Sequence, residues 1–173
     1  MLIIVTGLGR SGTSLMMQCL QKAGINVLHD KTYEAHLKKM RSDAHQYMEH
    51  PNPSQAAEQW LTENSDKLVA VKCVQIPLSM TPIAQQYEVF TIVMTRSKKS
   101  WEASWRNTFY GDPPIERQKQ IDQLVAVSKN SLQIPYNELV DEPKKWLTKI
   151  AKFIPLDINK ACKAVKPELR HYK

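Results

Sequence analysis

Gly7, Gly9 and Gly12 are interleaved with Arg10, Ser11, Thr13 and Ser14, a run of guanidinium and hydroxyl donors with little bulk between them. Glycines allow tight or positive-φ turns, so successive backbone N–H groups can converge on one anion. The run follows an apolar stretch at residues 2–5 and leads into a helical pattern at 15–23, which aims the positive end of a helix dipole at the same point. The chemistry this implies is phosphate binding. A plain strand-to-helix connection needs no such set of donors.

Gly7 and Gly12 have the Walker A spacing, yet Thr13 stands where the lysine that reaches the β- and γ-phosphates belongs. Nucleoside triphosphatases also hold Mg²⁺ through an aspartate on a second apolar strand. Here the two later candidates for buried strands, 68–71 and 89–94, run into Lys72-Cys73 and Thr95-Arg96. Both tips are cationic. A site that holds anions with cations, and has no carboxylate for Mg²⁺ there, suits a nucleotide whose transferred group carries less charge than a γ-phosphoryl. A sulfuryl group is one.

The segment Gly9-Arg10-Ser11-Gly12-Thr13-Ser14-Leu15 resembles the 5′-phosphosulfate loop of the sulfotransferases that use 3′-phosphoadenosine 5′-phosphosulfate (PAPS), which reads Pro-(Lys/Arg)-Ser-Gly-Thr-(Thr/Ser). The segment from Thr95 to Trp105 is similar to their 3′-phosphate-binding segment, where an arginine ending a strand is followed eight residues later by a serine. Arg96 and Ser104 keep that spacing. Tyr47-Met48-Glu49 resembles the Gly-Tyr-Phe-Glu segment of the bacterial-type branch, residues 135–143 resemble its Tyr-Glu-Asp-Leu segment, and residues 166–171 its basic C-terminal end. Gly9 replaces the usual proline, and Leu15 stands where many members carry a tryptophan beside the adenine. Gln75-Ile76-Pro77 replaces the His-Leu-Pro segment that supplies a histidine base in one branch.

The resemblance implies an α/β fold of three layers, α/β/α, with a central parallel sheet and a P-loop that binds nucleotide. It also implies PAPS as sulfuryl donor, adenosine 3′,5′-bisphosphate (PAP) as product, and no metal. Gly9, Arg10, Ser11, Gly12, Thr13, Ser14, Arg96, Ser104 and Arg170 are its donor-binding residues. Sulfuryl transfer needs in-line attack by an acceptor, cations for the bridging and equatorial oxygens, and a base for the acceptor proton. Arg10 and Lys72 are the expected catalytic cations and Glu49 the favoured base, with His29, Asp30 and Glu34 as alternatives. A protein that binds PAPS or PAP without turnover, or a small P-loop nucleotide kinase, is the competing reading.

With 173 residues, 42% of them hydrophobic and 24% charged, the chain suits one globular domain spanning 1–173. The net charge of +7 is C-terminal: residues 144–173 hold nine Lys/Arg against two Asp/Glu, and the rest balances at fifteen of each. Lys145, Lys149 and Lys152 recur at helical spacing between apolar residues, the pattern of a solvated helix face. Lys166, Arg170 or Lys173 folding over a polyanion is the sharper reading. No nucleic-acid motif appears. Cys19, Cys73 and Cys162 have no paired spacing and the five histidines no metal-ligand pattern. The first apolar run is too short for a signal peptide, and no run approaches a membrane span. A reducing, cytoplasmic setting is therefore expected.

The elements that must position these residues alternate. Strands are expected at 2–6, 26–28, 68–73, 89–95 and 131–135. Helices are expected at 12–23, about 80–87, 98–109, 115–129, 143–153 and 157–165, with a polar helical region at 32–66 interrupted at Pro51 and Pro53. Such alternation gives a parallel sheet covered on both faces, with ligands beyond the carboxyl ends of the strands. On the helix after Arg96, Ser97, Ser100 and Ser104 form one stripe and Trp101 and Trp105 a neighbouring one; Ser97 is a plausible N-cap. The acceptor, a small molecule or glycan, is not specified by any motif in 30–66 or 106–130, and oligomeric state is not legible.

Overall fold

The first strand, β1 (Leu2–Gly7), is buried from end to end. Ile3 and Val5 face one core while Leu2 and Ile4 face the other, so the strand reads as a continuous apolar run and not as an alternating one. The structure is a computed structural model, which describes residues 1–41, 48–64, 67–106 and 116–166. After β1 come α1 (Thr13–Lys22), β2 (Asn26–Leu28), α2 (Lys31–Arg41), α3 (Pro53–Glu63) and β3 (Val69–Lys72). A 3₁₀ turn at Pro77–Met80 leads to α4 (Thr81–Gln86), β4 (Val89–Thr95), α5 (Lys98–Arg106) and α6 (Glu116–Val127). The chain then runs through β5 (Asn130–Pro135), α7 (Tyr136–Asp141), α8 (Pro143–Ile150) and α9 (Ile158–Cys162).

The five strands form one parallel sheet in the order β2-β3-β1-β4-β5. Residues of α1, α7, α8 and α9 bury Met16, Leu20, Leu139, Leu147 and Ala161 against one face. On the other, Ala57 and Leu61 of α3, Ile83 and Ala84 of α4 and Leu124 of α6 close over Leu2, Ile4 and Val71. This is the three-layer α/β/α sandwich expected from the alternation of elements. The chain moves from β1 to one side and from β4 to the other, so a crevice opens at the carboxyl ends of these neighbouring strands. Register places the tips: Val5 pairs with Lys72 and Gly7 with Met94, so the loop after β1 leaves the sheet between Lys72 and Arg96.

Differences from the sequence reading are local. The polar region after β2 resolves into α2 and α3, with non-helical backbone at 48–52. The helix α7 starts directly at the end of β5, where no helix was expected. The helix expected at 143–153 ends at Ile150, and the helix expected at 157–165 spans Ile158–Cys162. The loop expected at 111–114 and the end of the helix expected at 98–109 lie outside the described residues.

Candidate functional site

The loop between β1 and α1 is bent so that its backbone faces inward. Gly12, the residue before α1, is left-handed (φ 97°), and no side chain caps the helix. The first-turn N–H groups are therefore left to the loop, and no acidic side chain lies in that turn to compete with an anion. Gly7 (φ 149°) is held against β4: a Cβ there would lie 2.4 Å from the Met94 carbonyl oxygen and 2.5 Å from Ser11 Oγ. Gly9 is not in the left-handed region; it serves close approach instead, since its Cβ would lie 3.1 Å from the Trp105 ring. Arg10 is left-handed as well (φ 72°), an uncommon conformation for a side-chain-bearing residue that costs about 1–2 kcal/mol. Ser11 Oγ is buried with no hydrogen-bond partner among the described residues, a donor left over inside the loop.

Three contacts hold Arg10 in place. Arg96 Nη1 donates to the Arg10 carbonyl at 3.2 Å, Arg10 Nε donates to Ser104 Oγ at 3.2 Å, and Trp101 Nε1 donates to the neighbouring Gly9 carbonyl at 2.7 Å. The Arg96 guanidinium also stacks 4.8 Å from the centre of the Tyr136 ring, and that ring closes over Gly12. Two guanidiniums and a fully buried serine thus meet at one end of the loop, on a frame of three aromatic side chains.

The other end of the loop meets Lys72. The residue is buried, and its ammonium donates to Ser14 Oγ at 2.9 Å and pairs with Glu49 Oε1 at 2.9 Å. Glu49 is brought there by a clamp from the first turn of α2. Asp30 N–H donates to the Glu49 carbonyl at 3.1 Å, and buried Glu34 Oε2 accepts from Met48 N–H at 3.3 Å, with Met48 itself left-handed (φ 52°). Asp30 is the N-cap of this helix, accepting from Thr32 and Tyr33 N–H. Those bonds, Tyr33 first, hold its carboxyl below the usual range, with His50 and His29 assisting against partial desolvation. His29 Nδ1 faces Glu34 Oε2 at 3.5 Å, long for a hydrogen bond.

The sulfotransferase domain family matches residues 2–155 of the chain, which takes in every element from β1 to α8. The chain belongs to this family. No curated protein matches it. Among solved structures, the unliganded crystal structure of a sugar kinase from Janibacter sp. HTCC2649 is similar with a TM-score of 0.55. At 12% identity over 92% of this chain and 96% of the other, that likeness concerns the fold alone.

In this sulfotransferase domain the residues singled out from sequence fall into two groups at the carboxyl edge of the sheet. Arg10, Arg96 and Ser104 are joined by hydrogen bonds, and Ser14, Lys72 and Glu49 form a second chain of contacts. Gly9, Ser11, Gly12 and Thr13 lie along the loop and α1 start between them. Arg170 and Tyr47 lie outside the described residues. The alternatives to Glu49 separate by position: Asp30 caps a helix, and Glu34 accepts from Met48 N–H. No group of three or more His, Cys, Asp or Glu among the described residues could hold a metal ion. Sequence reasoning treated Trp101 and Trp105 as a stripe beside the serines and missed that they build the loop. It also missed the Tyr136 contact with Gly12 and Arg96. The available signal was the placement of both tryptophans on the helix that follows Arg96.

Proposed function

We propose that the protein transfers a sulfuryl group from PAPS to a hydroxyl or amine of a small-molecule or glycan acceptor. The observation that carries this reading is the Arg10–Ser104–Arg96 cluster. It gathers two always-charged forks and a buried hydroxyl at one end of a phosphate loop, a donor set matched to a second phosphate on the same nucleotide. In this reading Arg96 and Ser104 hold the 3′-phosphate, with Arg10 between it and the phosphosulfate. The α1 N-terminus, Ser11, Thr13 and Ser14 hold the phosphosulfate. The acceptor oxygen or nitrogen attacks sulfur, the bond from sulfur to the phosphate oxygen breaks, and PAP departs with that electron pair. Glu49 takes the acceptor proton, and Lys72 offsets charge on the sulfuryl and bridging oxygens. One sulfotransferase-like domain spanning the 173 residues, working in the cytoplasm, completes the proposal; no described helix is long and apolar enough to cross a membrane.

A nucleotide-kinase reading meets Thr13 in place of the Walker lysine and Lys72 at the tip of β3. The test is calorimetric titration with PAP, run beside ATP with Mg²⁺. Micromolar PAP binding without metal is expected, and PAPS consumption then follows against a panel of hydroxyl and amine acceptors. Mg²⁺-dependent ATP binding with no PAP binding overturns the reading. PAP binding with no transfer across the panel leaves a binding protein instead of an enzyme.

A further inference from the structure

Ser14 occupies the position in the loop at which P-loop proteins place the Ser/Thr hydroxyl that holds Mg²⁺. In those proteins a carboxylate from a second strand completes the metal's surroundings. Here the Lys72 ammonium donates to Ser14 Oγ at 2.9 Å, and the carboxylate of Glu49 pairs with that same nitrogen, also at 2.9 Å. A hydroxyl oxygen, a carboxylate and a phosphate-binding loop around one point make a set of oxygen ligands suited to Mg²⁺, which takes one or two carboxylates together with nucleotide phosphate and water. The point is filled by a cation that belongs to the chain.

We propose that the Lys72 ammonium is a built-in replacement for the divalent cation of P-loop proteins, and that Ser14 and Glu49 form a latent divalent-cation site that Lys72 keeps closed. An ammonium and a Mg²⁺ ion cannot share this space, because both are cations and both need the same lone pairs. The ammonium brings one positive charge where Mg²⁺ brings two, and Glu49 offsets it. It therefore lends the bound nucleotide less positive charge than a metal would, as suits a singly charged sulfuryl group; that match rests on the function proposed above. The occupancy argument itself holds for any nucleotide on the loop. Burial strengthens it: the Lys72 side chain is 3% exposed, so a metal ion could enter only by displacing a buried ammonium already paired with its counter-charge.

The experiment compares the wild-type chain with Lys72→Ala. Calorimetric affinities for PAP and for ADP are measured in EDTA and in millimolar MgCl₂, and melting curves are recorded with and without millimolar MnCl₂ alone. In the wild type, both affinities are expected to change by less than about two-fold, and Mn²⁺ is expected not to move the melting temperature. In Lys72→Ala, metal is expected to raise nucleotide affinity by about tenfold or more, a 1.4 kcal/mol effect. Mn²⁺ is expected to raise its melting temperature, and adding Ser14→Ala or Glu49→Gln should remove both responses. Wild-type affinity that rises tenfold with Mg²⁺ overturns the proposal, as does a folded Lys72→Ala protein indifferent to metal in both arms. Lys72→Met, which keeps the bulk of the stem, replaces Lys72→Ala if the smaller variant does not fold. Should PAP fail to bind while ADP binds, the donor assignment falls and the metal comparison on ADP still decides this inference. Should neither bind, the Mn²⁺ melting curves decide it.

Discussion

Replacing Arg96 with alanine should separate the two phosphates of PAP. In the structure Arg96 shapes the loop, and in the function proposed above it also holds the 3′-phosphate. Its Nη1 bond to the Arg10 carbonyl shapes the loop, and its guanidinium, stacked on Tyr136, stands at the tip of β4 beside Arg10 and Ser104. Losing the bond to the Arg10 carbonyl removes about 1 kcal/mol of loop order, which weakens every nucleotide on the loop by about five-fold. Losing charge-assisted bonds to a 3′-phosphate removes about 3 kcal/mol more, and only from a ligand that carries one. Relative to adenosine 5′-monophosphate, PAP should therefore lose roughly 150-fold in affinity. Arg96→Lys, which keeps the charge but not the planar fork or the aromatic stack, should fall between. The assay is calorimetric titration of both ligands against the three proteins, with melting curves to show that each is folded. Equal losses for the two ligands would refute the reasoning, because they would make Arg96 a loop-shaping residue with no 3′-phosphate to hold.

Gly12→Ala and Gly24→Ala form a matched pair, since both glycines are left-handed (φ 97° and 92°) but an added Cβ meets the Tyr136 ring at 2.3 Å in the first and nothing within 4 Å in the second. Gly24→Ala should cost only backbone strain of about 1–2 kcal/mol, while Gly12→Ala should cost more and should also weaken PAP binding. Urea denaturation that shows no excess cost at Gly12, or an excess that Tyr136→Ala does not relieve, would remove Tyr136 from the loop frame. The thiols give a pH prediction: burial, with Cys162 adding to it, pushes Cys19 up to about 12, and burial pushes Cys73 up to about 11. Both should resist iodoacetamide at pH 8 in the native state and react in urea, with half-buried Cys162 labelled first. Because the folded state keeps protons that the unfolded state releases above its ordinary thiol range, stability should fall as pH rises from about 9 toward 11–12. Native labelling of Cys19 and Cys73 at the unfolded rate would contradict their placement.

The strands were readable from sequence because each central one is covered on both faces, which writes burial as an uninterrupted apolar run. Residues 89–94 could hardly be anything else. The short helix α7 was not readable for the opposite reason. It has six residues, starts against Pro135 with no loop to announce it, and owes its stability to the burial of Leu139 and Val140 and not to its own periodicity. The phosphate loop and the Arg96–Ser104 spacing were legible because their ligands are local in sequence. The frame that holds them was not, since the Trp101 bond to Gly9 and the Tyr136 contact with Gly12 join positions about a hundred residues apart. No spacing rule encodes such contacts.

The two strand-tip cations show what only the fold could add. As strand tips, Lys72 and Arg96 look alike in sequence, each a basic residue after an apolar run, and only the resemblance gives them different roles. In the sheet they flank β1 on opposite sides, and their surroundings differ. Arg96 donates to the Arg10 carbonyl and stacks on the Tyr136 ring, beside a second guanidinium. Lys72 is buried against a carboxylate, so its charge is largely offset before any ligand arrives. The loop therefore ends on two guanidiniums at the Arg96 side and on one carboxylate-paired ammonium at the Lys72 side. In the function proposed above, the guanidinium pair would anchor the permanent phosphate where nothing reacts, and the paired ammonium would stand beside the base where a bond must break.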